Sequence, residues 1–471
     1  MSNHQFSPEI LRQYDIRGTI DKNLSPRDAY AIGYSFGVIL MQRSGKSADS
    51  LCIVIGRDGR LSSPELAQNL AQGISDAGIS VLELPCGPTP MLYFADHHYA
   101  ADGAIMVTGS HNPPDMNGFK MVMNHKPFFG ADIQELGRVA ANTDMQKQDS
   151  QGEILARDCR EIYVDRLCAE MDHFPKGYRP NIAWDAGNGA AGEILEMLCA
   201  RLPGTHHLLY TDIDGTFPNH HPDPTVPAYL VDLQDKIKEK NCDFGIAFDG
   251  DGDRIGVMAA DGEILWGDRM LMILASDVLR DHAGATVIAD VKASGALFRY
   301  IAAIGGVPDM YKTGHALIKS RMAETGAPLA GEMSGHLFFA DRYYGFDDAL
   351  YAALRLMGAV AQRQKPLSEI IADFPTPYAT PEMRVACPED QKARVIAETK
   401  ARLESEGIDY NAIDGMRVDV DAGWWLMRAS NTEPVLVLRA EAESPESLNA
   451  LWQTVNEYVA AAGLQPIEFR A

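Results

Sequence analysis

Positive charge is in short supply along this chain of 471 residues: 42 lysines and arginines stand against 65 aspartates and glutamates, for a formal net charge of −23. Nucleic acid and an anionic membrane surface are excluded as expected partners, because binding to either rests on clustered Lys and Arg. Long apolar stretches are also missing, and none approaches the roughly 20 residues a membrane helix needs. The opening MSNHQFSPE has neither the basic nor the apolar region of a signal peptide, so a cytoplasmic protein is expected. Cysteine is sparse. The seven cysteines, at 52, 86, 159, 168, 199, 242 and 387, form an odd set without CxxC spacing. That excludes a disulfide framework and a cysteine zinc site, and leaves reduced, mostly buried thiols.

What is present is length enough for three or four domains. An apolar strand, a polar or glycine-bearing turn and a helix-like stretch follow one another at IVIGRDGRLS (53–62), IAWDAGNGAAG (182–192) and VIADVKASGA (287–296). In the first unit Pro64 suits the first position of a helix, and Leu66, Leu70 and Ile74 fall on one face of it. Strands alternating with helices predict three α/β domains in series with mixed or parallel sheets, over 1–155, 156–260 and 261–372. The segment 373–382 holds three prolines and reads as a linker. A smaller α+β domain, 373–471, follows, with strands at 384–386, 416–420, 424–428 and 435–441, a helix over 390–403, and a last helix carrying Leu448, Leu451, Val455 and Val459 as its core stripe.

Two segments carry chemistry. FDGDGDR (248–254) sets Asp249, Asp251 and Asp253 at alternate positions, with Gly250 and Gly252 letting the backbone curl until three carboxylates face one point. Three converging anions call for a cation. A calcium EF-hand would need Gly and Glu where Arg254 and Ala260 stand, so a small oxygen-liganded site for Mg²⁺ fits better. TGSHNPP (108–114) places Ser110 after the buried run 104–107. It lacks the G-x-S-x-G elbow of serine hydrolases, since Thr108 and Asn112 flank it. A phosphate on Ser110 would make the acidic triplet intelligible, with metal between the two. Read alone, each segment is also compatible with a polar turn closing a strand.

TGSHNPPDMNGFK and FDGDGDR together resemble the α-D-phosphohexomutases, specifically the bacterial phosphomannomutase/phosphoglucomutase branch. YDIRG (14–18), KTGH (312–315), GEMSGH (331–336) and RASNTEP (428–434) agree in order, so the similarity runs from residue 14 past 434. Family members likewise have three similar α/β domains and a fourth, different one. The resemblance implies an isomerase that interconverts hexose 6-phosphate and hexose 1-phosphate, with Ser110 phosphorylated in the resting enzyme and also a metal ligand beside Asp249, Asp251 and Asp253.

Moving a phosphate between the two ends of a sugar without losing it requires a hexose 1,6-bisphosphate that turns around between transfers. By resemblance Glu332 and Ser334 hold sugar hydroxyls, Arg428, Ser430, Asn431 and Thr432 clamp the unreacting phosphate, and Tyr14, Arg17, Lys292 and His315 line the cleft. Lys120, His111 and His336 sit in the matched loops as proton carriers, the resemblance favouring Lys120 and His336, with Arg254 neutralising charge. Ala293, Ser294 and Gly295 depart from the family's run after Lys292, which leaves the contact made by that loop open.

Other readings are a phosphoglucosamine mutase, whose loop reads GEQSGH where Met333 stands here and which lacks KTGH, and a catalytically silent phosphosugar-binding protein. LLYTDIDGTF (208–217) imitates the DxDGT loop of another phosphatase class, with Asp212 as nucleophile, but its place in mid-chain is wrong for that fold. Phosphosugars are the expected small-molecule partners, and no protein partner is indicated.

Overall fold

A computed structural model describes residues 3–430 and 434–470. Four sheets follow one another along the chain. The first runs Ile16–Thr19, Met116–Met123, Gly103–Val107, Cys52–Arg57, Ser80–Cys86 and Ile154–Ala156. The second runs Ile264–Leu265, Ile255–Ala259, Phe244–Phe248, Asn181–Asp185 and Thr205–Leu209. Val307–Tyr311, Thr286–Asp290, Leu329–Gly331 and Leu337–Phe339 make the third. These three are mixed, as expected of the α/β reading, whereas the fourth is antiparallel throughout.

The three repeating stretches seen in the sequence are the strands Cys52–Arg57, Asn181–Asp185 and Thr286–Asp290, each followed by a helix: Ser63–Asp76, Gly192–Cys199 and Gly295–Ala303. In the first helix Leu66, Leu70 and Ile74 are buried, each worth roughly 2 kcal/mol in area removed from water. Each repeating strand pairs in parallel with one neighbour that then reverses into an antiparallel partner. Those reversals are Gly103–Val107 into Met116–Met123, Phe244–Phe248 into Ile255–Ala259, and Leu329–Gly331 into Leu337–Phe339. The reversing loops are 108–115, 249–254 and 332–336. They occupy equivalent positions at the carboxyl ends of parallel strands, where open α/β sheets collect ligands.

One apolar core runs from Val54 and Leu92 through Trp184, Phe244 and Leu271 to Leu350 and Phe374, joining the first three sheets. The fourth sheet has its own core of Val395, Trp425, Leu438 and Trp452, and a small cluster of Val291, Trp424 and Leu426 joins it to the third unit. The last helix, Pro445–Ala461, buries Leu448, Val455 and Val459 against it. One expectation changes. The stretch 373–382 is more than a linker, because Tyr378–Ala379 pairs with Val435–Ala442 and the Thr380 amide donates to the Ala440 carbonyl at 2.9 Å. Prolines on either side hide a strand this short, since an edge position tolerates them. No helix among the described residues is long and apolar enough to cross a membrane.

Candidate active site

Ser110 leaves its strand in the left-handed region, φ 50°, a conformation uncommon for residues other than glycine and one that costs energy unless the surroundings impose it. Arg60 imposes it. Its guanidinium, 1 % exposed, donates to the carbonyls of Ser110 (2.7 Å), Asn112 (2.6 Å), Pro113 (2.5 Å) and Met116 (3.0 Å). Asp58 faces Arg60 at 3.3 Å and accepts the Gly109 amide at 3.1 Å. A Cβ on Gly109 would lie 2.4 Å from the Arg60 guanidinium carbon, so this approach requires glycine. Arg60 also lies over Phe217, 5.3 Å from the ring centroid. Phe217 belongs to the stretch 208–217, whose Asp212 is exposed and uses its carbonyl to accept from Asn188. That stretch supports the serine loop from outside, and its imitation of a phosphatase loop has no counterpart in the geometry.

The Ser110 hydroxyl donates to Asp249 Oδ2 at 3.0 Å and lies 3.2 Å from His111 Nδ1. Gly250 makes this meeting possible, because a Cβ there would sit 2.5 Å from the Ser110 carbonyl oxygen. Asp249, Asp251 and Asp253 are all 0 % exposed, and one carboxylate oxygen from each lies within 4.8 Å of the others. Asp249 Oδ1 accepts the amides of Asp253 and Arg254, both at 3.1 Å. Asp251 Oδ2 accepts Thr89 Oγ1 at 2.5 Å and Lys120 Nζ at 2.7 Å, and Asp253 Oδ2 accepts Lys120 as well. Asp251 Oδ1 and Asp253 Oδ1 accept no hydrogen bond, although both are buried.

The charges suit a cation site. Burial, and then the neighbouring Asp253 and Asp251, push the Asp249 carboxyl well above the usual range. Burial would do the same to Asp253, but Lys120 and His336 outweigh it and hold that carboxyl well below the usual range. Burial likewise works against the Lys120 ammonium, and the three aspartates reverse the effect and raise its pKa. An orphaned buried oxygen on Asp251, a second on Asp253 met only by His336 at 3.3 Å, and a carboxylate short of positive charge are a donor set that fits a hard divalent cation.

The third loop closes on the second. Arg254 and His336 form a backbone bridge, and the Ile255 amide donates to the Gly335 carbonyl at 3.1 Å. His336 lies 3.3 Å from Asp253 and 3.1 Å from Glu332, with Ser334 Oγ 2.9 Å from its Nδ1. Burial lowers the imidazole pKa, but Asp253 leads a set of partners that raise it to about 9, so the ring is cationic at neutral pH. The 3.3 Å approach of Arg254 Nε to His336 Nε2 is therefore a meeting of two cations held by shared carboxylates, not a hydrogen bond.

Glu332 accepts the Gly314 amide at 2.6 Å, which ties the KTGH turn to the GEMSGH loop. Tyr14 donates to the Thr313 carbonyl at 2.6 Å, and His315 lies 5.8 Å from His336, ring to ring. Burial, then Lys319 and Lys120, keep the His315 ring neutral. Arg17 donates to Asp15 at 2.6 Å and to the Asn112 side chain, which places it on the serine loop.

Lys292 and Arg428 mark the side facing the fourth sheet. Lys292 is paired with Glu382 at 3.0 Å, and Arg428 donates to Asp414 at 2.8 Å. The loop after Lys292, whose contact was open, docks on that sheet: Arg417 donates to the Val291 and Ala293 carbonyls, both at 2.8 Å, and Gly295 donates to Glu441 at 3.0 Å. Ser294 caps its helix through the Ala296 amide. Ser430 is buried and its amide donates to the Val435 carbonyl at 3.0 Å. Asn431 and Thr432 lie outside the described residues.

Sequence reasoning missed Arg60, Asp58, Thr89, Glu382 and Asp414. Only Asp58 and Arg60 had a local signal, the polar GRDGR turn after a buried strand. Thr89 and Glu382 matter through partners 162 and 90 residues away, and Asp414 through one 14 residues on, outside its own turn.

Comparison with known proteins agrees with this geometry. The phosphoglucomutase/phosphomannomutase family matches in four parts: alpha/beta/alpha domain I over 8–147, domain II over 161–262, domain III over 266–378 and the C-terminal domain over 382–457. A phosphomannomutase/phosphoglucomutase of Pseudomonas aeruginosa is 42 % identical over 465 residues, 98 % of this chain and 97 % of the relative. A phosphoglucomutase of Neisseria gonorrhoeae is 43 % identical over 448 residues, 94 % of this chain and 95 % of the relative. A crystal structure of a phosphoglucomutase/phosphomannomutase family protein from Burkholderia thailandensis superposes with a TM-score of 0.89 at 40 % identity, covering 98 % of this chain and all of that one.

Proposed function

This chain belongs to the phosphoglucomutase/phosphomannomutase family, and from that premise we infer that it is an isomerase that moves a phosphoryl group between O6 and O1 of mannose and glucose phosphates. The observation that carries the mechanism is Ser110 Oγ, held in a strained turn 3.0 Å from Asp249 with two further buried carboxylates behind it.

Ser110 carries the transferable group. In the first transfer the Oγ–P bond breaks as a P–O bond forms to the free sugar hydroxyl; the hydroxyl gives up its proton and Ser110 Oγ takes one. The hexose 1,6-bisphosphate turns around, and the other phosphate returns to Ser110 with the proton movements reversed. Lys120 and His336, cationic and joined to the acidic triplet, donate protons to departing oxygens. His111 lies 3.2 Å from Ser110 Oγ, and the enclosing protein, then Arg254 and Arg17, hold its ring well below its usual pKa. Its neutral ring is therefore the acceptor for the proton of the attacking hydroxyl, the sugar's in the first transfer.

Asp249, Asp251, Asp253 and Ser110 would hold a Mg²⁺ ion, which when bound supplies withdrawal of charge from a phosphoryl oxygen. Glu332 and Ser334 grip sugar hydroxyls, Glu332 pre-oriented by Gly314 and His336. Arg428 and Ser430, with Asn431 and Thr432, clamp the unreacting phosphate, and Tyr14, Arg17, Lys292 and His315 complete the cleft. The four units supporting these loops are 1–155, 156–260, 261–372 and 373–471. The seven free thiols suit a reducing compartment, and we place the enzyme in the cytoplasm.

The test is turnover of mannose 1-phosphate, glucose 1-phosphate and glucosamine 1-phosphate after chelation and after return of Mg²⁺, with catalytic hexose 1,6-bisphosphate. Chelation should abolish turnover, Mg²⁺ should restore it, and the amino sugar should be at least about tenfold poorer, about 1.4 kcal/mol in the barrier. Preference for the amino sugar would overturn the substrate assignment.

A further inference from the structure

Away from the catalytic loops, one end of the helix Thr89–His98 meets the hairpin turn between Met116–Met123 and Lys126–Pro127. There a carboxylate oxygen of Asp96 and one ring nitrogen each of His97 and His125 lie within 4.8 Å of one another. Asp96 is 1 % exposed; its Oδ2 meets His125 Nδ1 at 2.7 Å, while Oδ1 is buried and accepts no hydrogen bond. An unsatisfied carboxylate oxygen in such a place costs about 1–3 kcal/mol unless something fills it. The group borders a small cavity of about 30 Å³, lined also by Tyr93, Val122, Pro127, Lys319 and Phe346. The charge of Lys319 is taken up by Asp347, 2.8 Å away, so it is not the partner of Asp96.

The turn itself is unusual. Asn124 and His125 have φ 49° and 60°, the two positive values of a tight hairpin whose second position favours glycine. A histidine there costs conformational energy and sets its ring over His97, centroids 4.7 Å apart. His97 is held from the other side by Tyr344 at 4.9 Å, so it cannot swing away.

We propose that Asp96, His97 and His125 form a second divalent-cation site, distinct from the acidic triplet and selective for a borderline ion such as Zn²⁺ over Mg²⁺. Two imidazoles and one carboxylate are a zinc donor set with one position open for water, whereas Mg²⁺ favours oxygen ligands. No two of the three atoms are more than 4.8 Å apart, so shifts of about 1 Å suffice to bring each to a zinc bond length of about 2 Å. Tyr344 and Phe346, from the third α/β unit, stack on His97 and so border the site without ligating.

The experiment is Zn²⁺ titration by calorimetry, with Co²⁺ absorption in parallel, on the full-length protein in excess Mg²⁺ so that the acidic triplet is saturated. One Zn²⁺ per chain should bind, and Co²⁺ should give a visible spectrum of mixed nitrogen and oxygen ligation. His125→Asn, which suits the left-handed turn and so keeps the fold, should weaken Zn²⁺ more than about tenfold, as should His97→Gln, while turnover in Mg²⁺ stays within about twofold. No Zn²⁺ bound in excess Mg²⁺, or affinity unchanged in both variants, would overturn the site.

Discussion

Arg60 holds four backbone carbonyls of the loop that carries Ser110, and its replacement by lysine is the sharpest probe of how that loop is shaped. Both side chains are cationic, so Asp58 keeps a partner. The planar fork is lost, however, and one ammonium with three donors cannot span carbonyls spread from Ser110 to Met116. Losing two of the four bonds, each to a charged donor worth about 1.5–3 kcal/mol, removes about 3–6 kcal/mol of restraint at full value. Relaxation and entering water return part of this, so about 2–3 kcal/mol of global stability should be lost.

The effect on catalysis follows from position. Ser110 sits at a positive φ that only this scaffold enforces, and a displacement of about 1 Å from in-line geometry costs on the order of a hundredfold in rate. Arg60→Lys should therefore lower kcat by about a hundredfold with KM little changed, because Arg60 touches the loop and not the sugar. Steady-state kinetics and thermal unfolding on the same preparation measure both. A variant with wild-type kcat would refute the role of Arg60, whatever its melting temperature.

Asp348 is buried, caps the helix Ala349–Arg363 through the Tyr351 amide, and has its pKa raised to about 6, chiefly by burial. A carboxyl raised in the folded state adds stability that is full below its unfolded value near 4 and is lost as pH rises through about 6. Relative to Asp348→Asn, the wild type should lose up to about 3 kcal/mol between pH 4 and pH 8, measured by denaturant unfolding; parallel profiles would show that Asp348 titrates normally. Arg428→Lys removes directed donors from the proposed phosphate clamp and should lower kcat/KM about thirtyfold, about 2 kcal/mol, with unfolding unchanged; unaltered kinetics would remove Arg428 from that clamp.

How much could be read from the chain alone depended on the range of the interaction. DGDGD announces a convergence of carboxylates from its own spacing, because alternating glycines let a short loop curl without help from elsewhere. The strands before the turns at 53–62, 182–192 and 287–296 were equally legible, since each is a buried run closed by polar residues. What stayed hidden was the layer behind the site. Arg60 acts on carbonyls about fifty residues away, Thr89 on Asp251, Glu382 on Lys292 and Asp414 on Arg428. No local pattern encodes such pairs. The short strand Tyr378–Ala379 was masked by its prolines, and the stretch 208–217 imitated a nucleophile loop while serving to pack Phe217 against Arg60.

Intact-protein and peptide mass spectrometry after incubation with hexose 1,6-bisphosphate asks whether Ser110 is the residue that carries the phosphoryl group. One added phosphoryl group per chain is expected, located on Ser110, discharged by hexose 6-phosphate and absent from Ser110→Ala. A phosphoryl group found on another residue, or a Ser110→Ala protein that still turns over at the wild-type rate, would contradict that assignment.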